Sequence, residues 1–197
     1  VDNRIRGRVM SIYVTAMSAG FLGALPILLI VGSEGPEPFF IIAAALAIGV
    51  MPLILARDLA PHIKAHTGFG IFAAIRRAPA TMLAALTDGF VFAAIFSFFL
   101  IYVQREGYTE QGALTLLIVL SVGNVCLQYP VGMIADKYDR RVLLIIFAML
   151  IAVFTAVFPF TLGDPFLSWP LLFLWGGVLG GIYTCGLALV GQRFSRK

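Results

Sequence analysis

The chain has 197 residues, 60% hydrophobic and only 12% charged, with a formal net charge of +4, whereas soluble domains carry about 25% charged residues. So much apolar side chain, with a mean hydropathy of +0.98, excludes an ordinary soluble domain and points to an integral membrane protein. Continuous uncharged runs also exclude a transmembrane barrel, whose strands would alternate over ~10-residue segments.

The chain opens "VDNRIRGRVM", a basic cluster that is not followed by the short apolar region and small-residue cleavage site of a signal peptide. Runs at about 9–31, 39–56, 79–103, 112–133, 142–162 and 169–190 predict six spanning helices, each near the ~20 residues that cross the hydrocarbon. In the first, "SAGFLGA" with the Ala16 that precedes it places Ala16, Gly20 and Ala24 at a spacing of four, a pattern expected to let helix backbones approach closely. The second, "FFIIAAALAIGVMPLILA", has almost no polar side chain. The longest connection, 57–78, contains "GFGIFAAIRRAP", predicted to form a short amphipathic helix along the interface. Within it Asp58, His62 and His66 are spaced by four, but Pro61 interrupts them and no further ligand lies near; they read as a solvated linker, not a metal site.

The third run carries Asp88, the only Asp, Glu, Lys, Arg or His inside any predicted span, a third to a half of the way along it. A charge at that depth costs on the order of 3 kcal/mol or more, so it is expected to be partnered, protonated or facing water. Asn124 and Gln128 in the fourth run share one helix face. A charged turn, "PVGMIADKYDRR", separates it from the fifth run, "VLLIIFAMLIAVFTAVFPF", where Thr155 is the lone polar residue. The sixth holds Gly176, Gly177, Gly180 and Gly181, two overlapping G-x-x-x-G patterns read as helix packing. Tyr183 and Thr184 lie at the depth of Asn124 and Gln128. Trp169 and Tyr102, near span ends, are expected interface anchors. Cys126 and Cys185 sit within spans as small apolar residues, without the neighbours of a metal or disulfide site.

Orientation follows from the basic residues. Thirteen of the fourteen Lys and Arg fall before the first run, between the second and third, between the fourth and fifth, or after the sixth. By the positive-inside rule that side is cytoplasmic, with both termini. Arg105 alone lies on the other side, among Glu34, Glu37, Glu106, Glu110 and Asp164. The net charge is thus a topology signal and an attraction to anionic lipid, with no nucleic acid required.

In the charged turn, Gly132 is expected to let the end of the fourth helix approach a neighbouring backbone, while Asp136 and the Arg140/Arg141 pair flank the turn. This stretch resembles the G-x-x-x-D-x-x-x-R-R signature of the major facilitator superfamily, matching at Gly132, Asp136, Arg140 and Arg141, with Asp139 where the family often has Gly. The resemblance implies an all-α polytopic fold, six helices out of a twelve-helix transporter. The long 57–78 connection and the motif's position both place them as helices five to ten, an incomplete copy. Residues 1–56 would then be the last two helices of the N-terminal bundle, 57–78 the inter-bundle linker, and 79–197 the first four helices of the C-terminal bundle. The same register makes the second and fifth spans lipid-facing and the first a contact between bundles. "GFLGALPILL" lacks the adjacent Gly-Pro of the family's antiporters.

The expected function is alternating-access transport of a small solute in the plasma membrane. Asp88, Asn124, Gln128 and Tyr183 are the candidate substrate or proton-coupling residues, and the turn 132–141 helps hold one state. No cofactor or metal is expected. An intramembrane enzyme would need a nucleophile, base or metal ligands at membrane depth, and no span holds a His. The alternative is a six-span scaffold or partner subunit without transport activity.

Overall fold

The computed structural model describes residues 3–32, 35–55, 76 and 79–194. Every regular element among them is an α-helix: α1 (Asn3–Val31), α2 (Glu37–Leu55), α3 (Pro79–Arg105), α4 (Glu110–Lys137), α5 (Arg140–Thr161) and α6 (Pro165–Phe194). The predicted interfacial helix and the Asp58, His62, His66 cluster lie outside the described residues. Apolar side chains cannot bond the backbone, so in lipid each segment satisfies its own amides by coiling. By length and composition, Glu110–Ala135, Arg141–Thr161 and Pro165–Gly186 are long and apolar enough to cross a membrane. The apolar stretches Thr15–Val31, Glu37–Pro52 and Gly89–Arg105 are shorter among the described residues.

The turns show local chemistry stopping and starting these helices. Gly107, at φ 93°, bends the chain after α3, a backbone conformation that glycine adopts without strain. Thr109 then caps α4, its Oγ1 accepting from Gly112 N at 3.1 Å. Asp164 does the same for α6 through Phe166 N at 2.9 Å, ahead of Pro165, whose missing N–H costs nothing in a first turn. Tyr108 donates its phenol hydrogen to the Leu162 carbonyl, tying the α3–α4 turn to the α5–α6 turn at one end of the bundle.

The helices α4 and α6 form the most extensive contact in the molecule. Along part of their seam the two backbones meet directly. A Cβ on Gly176 would strike the Leu120 carbonyl and one on Gly123 the Phe173 carbonyl, while one on Gly181 would lie 3.0 Å from Val131 of α4 and 2.8 Å from the Phe147 ring of α5. The doubled glycine pattern is therefore packing between α4 and α6. Backbones this close bring Cα–H groups onto carbonyl oxygens, a weak but recurrent attraction between helices.

Around this pair, α5 lies on α6, α3 on both, and α1 on α4, with α2 touching α1. Two apolar clusters result. The larger joins Phe99, Val103, Leu116, Leu120, Phe158, Leu172 and Trp175; the smaller joins Val131, Ala135, Leu143, Phe147 and Cys185 toward the other end. Buried Leu143, Phe147 and Ile151 recur every four residues along α5, while Val142, Ile145, Met149 and Val153 stand outward. No described side chain of α2 is buried. Both helices thus present large apolar side chains outward.

Two positions at which small residues are expected to admit a neighbour face open space among the described residues. Ala16, Gly20 and Ala24 of α1 are exposed, and a Cβ at Gly20 would meet nothing within 4 Å. The same openness holds at Gly132. Small residues permit a close approach without compelling one. Instead α1 is held by buried Leu25 and by Phe21, whose ring centroid lies 4.5 Å from that of Phe96 and 6.1 Å from that of Phe92 on α3. Among the described residues, no Cα of α1 comes within 8 Å of one on α3, so these rings bridge a gap that the backbones leave open.

Candidate functional site

Polar side chains reappear between the two apolar clusters. Gln128 on α4 is 5% exposed, and its Nε2 donates to Thr184 Oγ1 on α6 at 2.6 Å. Thr184 in turn donates to the Gly180 carbonyl one turn earlier, at 2.9 Å. Asn124, half-buried, lies one turn along α4 from Gln128. Gly180 makes room for both amides: a Cβ there would strike Gln128 Oε1 and lie 3.1 Å from Asn124 Nδ2. Gln128 Oε1 is buried and accepts no hydrogen bond.

Of the sequence-predicted residues, the structure therefore brings Asn124 and Gln128 to one seam. Tyr183 is half-buried beside it, but the bond to Gln128 comes from its neighbour Thr184. Asp88 falls within α3, and its side chain lies outside the described residues. Sequence reading placed Thr184 at this depth without giving it a partner. It missed Gly180 as the residue that makes space for the amides, since the glycine pattern advertises packing alone.

The charged turn is short. Asp139 caps α5, its Oδ1 accepting from Arg141 N at 2.8 Å, and its φ of −62° is an ordinary one. Asp in the place where the family often carries Gly thus costs no backbone strain. The Arg141 side chain is exposed, and the side chains of Asp136 and Arg140 lie outside the described residues.

Chemically, the seam offers amide and hydroxyl groups in an apolar setting, suited to hydrogen bonding a solute. The sequence profile of the Major Facilitator Superfamily matches residues 1–197, and the chain belongs to that family of membrane transporters. It is an integral, multi-pass membrane protein. Among curated proteins it is similar to the "Uncharacterized MFS-type transporter YfkF" of Bacillus subtilis (strain 168), 24% identical over 193 residues, covering 93% of this chain and 48% of that protein. The "Uncharacterized MFS-type transporter YcaD" of Escherichia fergusonii is 24% identical over 145 residues, covering 72% of this chain and 38% of that one. Its counterpart in Escherichia coli O139:H28 is 25% identical over the same shares. The chain spans about half, or less, of the length of these relatives. No solved structure matches it.

Proposed function

We propose that the protein moves a small solute across the plasma membrane by alternating access, coupled to protons through Asp88, with both termini of this segment cytoplasmic. In this reading α1 and α2 close one bundle, residues 57–78 link the bundles, and α3 to α6 open the second. The observation that carries it is the Gln128–Thr184 pair, a hydrogen-bonding seam set between two apolar clusters. Polar side chains inside a membrane are costly and are kept where a neighbouring helix or a water-filled path can bond them. The packing of α1 on α4 supports the division, because it is the contact across which two bundles would rock.

Asn124, Gln128 and Tyr183 contact the solute, and Asp88 binds the proton. The turn at Gly132, Asp136, Arg140 and Arg141 holds one of the two states. The chemistry is relocation rather than bond making, so no catalytic residue or cofactor enters it.

The test is the full-length protein in proteoliposomes. An inward proton gradient is expected to drive uptake in the wild type, and Asp88→Asn to abolish the gradient-driven part while sparing counterflow exchange. Full transport by Asp88→Asn with unchanged pH dependence sinks the coupling role. Absence of any gradient-driven or exchange flux in the wild type sinks the transporter reading.

A further inference from the structure

The unbonded oxygen of Gln128 calls for an explanation. A buried carbonyl oxygen without a donor forfeits its hydration and regains nothing, so native proteins rarely keep one without cause. Gln128 is buried, its Nε2 is engaged by Thr184, and its Oε1 is idle. In this arrangement the Thr184 hydroxyl hydrogen goes to the Gly180 carbonyl and not to Oε1. With its hydrogen given to Gly180, the Thr184 oxygen accepts from Nε2, and Oε1 turns away. Oε1 then occupies the space that Gly180 leaves by having no Cβ, close to the Asn124 amide but unbonded to it.

We propose that Gln128 Oε1 accepts a hydrogen bond from an N–H or O–H donor of the transported solute, and that Thr184 and Gly180 are positioning residues that present it. The inference rests on the transporter reading and goes beyond it by naming what the solute must carry. A site with a buried acceptor selects for donor-bearing molecules, since an analogue without the donor leaves the oxygen unpaired in the complex as well. Asn124, one turn away, adds a second amide that can give and take hydrogen bonds. Polyols, sugars and primary amides have this chemistry, whereas their fully methylated derivatives keep the acceptors and lose the donors.

The experiment is thermal unfolding of the purified full-length protein in detergent. Its probes are D-glucose, mannitol, lactamide and uridine, each beside a counterpart whose N–H and O–H hydrogens are replaced by methyl groups. At least one parent compound is expected to raise the Tm while its methylated counterpart does not. Gln128→Met removes the acceptor at nearly constant length and is expected to erase that difference. Thr184→Val is expected to weaken the parent's apparent affinity by about tenfold, and Thr184→Ser to restore it. The serine rescue separates positioning from simple packing, and the Thr184 pair carries the test should Gln128→Met fail to fold. If no parent outperforms its counterpart, or if the preference survives Gln128→Met, the proposal is wrong. Uptake of the bound parent into proteoliposomes is scored separately. Binding without uptake ends the transporter reading and leaves the donor preference standing.

Discussion

At the scale of single residues, the glycines divide into two kinds that the sequence writes identically. Gly123 and Gly176 each face a carbonyl of the opposing helix, and a Cβ has nowhere to go because the obstacle is backbone. Gly123→Ala and Gly176→Ala are expected to destabilise the protein by about 1–3 kcal/mol or more, as overpacking does, read as a fall in the detergent unfolding midpoint. Gly20→Ala and Gly132→Ala meet open space, and are expected to be neutral or to gain up to about 1 kcal/mol of helix propensity. A comparable loss in both sets would overturn the seam. Asp139→Ala should cost about 1 kcal/mol through the lost cap of α5, with Asp139→Ser recovering most of it.

At the scale of helices, the aromatic bridge is the feature to probe. Phe21, Phe92 and Phe96 lie with ring centroids 4.3 to 6.1 Å apart, in tilted and edge-on geometries worth about 0.5–1.5 kcal/mol a pair beyond the area they bury. Because the backbones of α1 and α3 stay apart, Phe21→Ala is expected to loosen α1 while leaving α4 and α6 intact. Amide exchange in nanodiscs should show faster exchange confined to α1 and α3. Uniform acceleration through α4 and α6, or none at all, would contradict the bridge. Helix existence itself was legible in the sequence, because long uncharged runs have no other way to satisfy their amides in lipid. Helix neighbours were less so. The small residues of α6 were used and those of α1 were not, and only the three-dimensional partner decides between them. The polar seam was legible at Asn124 and Gln128 because amides in such runs are costly and hence conspicuous. Thr184 and Gly180 were not legible as its completion, since a hydroxyl bonded within its own helix and a glycine among glycines look ordinary.

At the scale of the whole molecule, the proposed division into two bundles makes α1 on α4 the main attachment between residues 1–56 and 79–197. A protease site placed within 57–78 of the full-length protein tests it. After cleavage in mild detergent the pieces are expected to co-purify, held by the α1–α4 packing and the ring bridge, and Phe21→Ala should weaken that association. Separation of the pieces in the wild type would mean that the linker, and not the packing, holds them together.

The doubled glycines of α6 have a mechanical consequence. Slipping α6 along α4 by one turn, about 5.4 Å, in one direction would put Gly180 and Gly181 where Gly176 and Gly177 now sit, an apparently equivalent seating. It would also carry Thr184 into the place of Gly180, and its Cβ into the Gln128 amide. The opposite slip would press Leu172 on the Leu120 carbonyl. One amide thus acts as an end stop, leaving the pair a single detent and obliging any working stroke to be made by other helices moving against it.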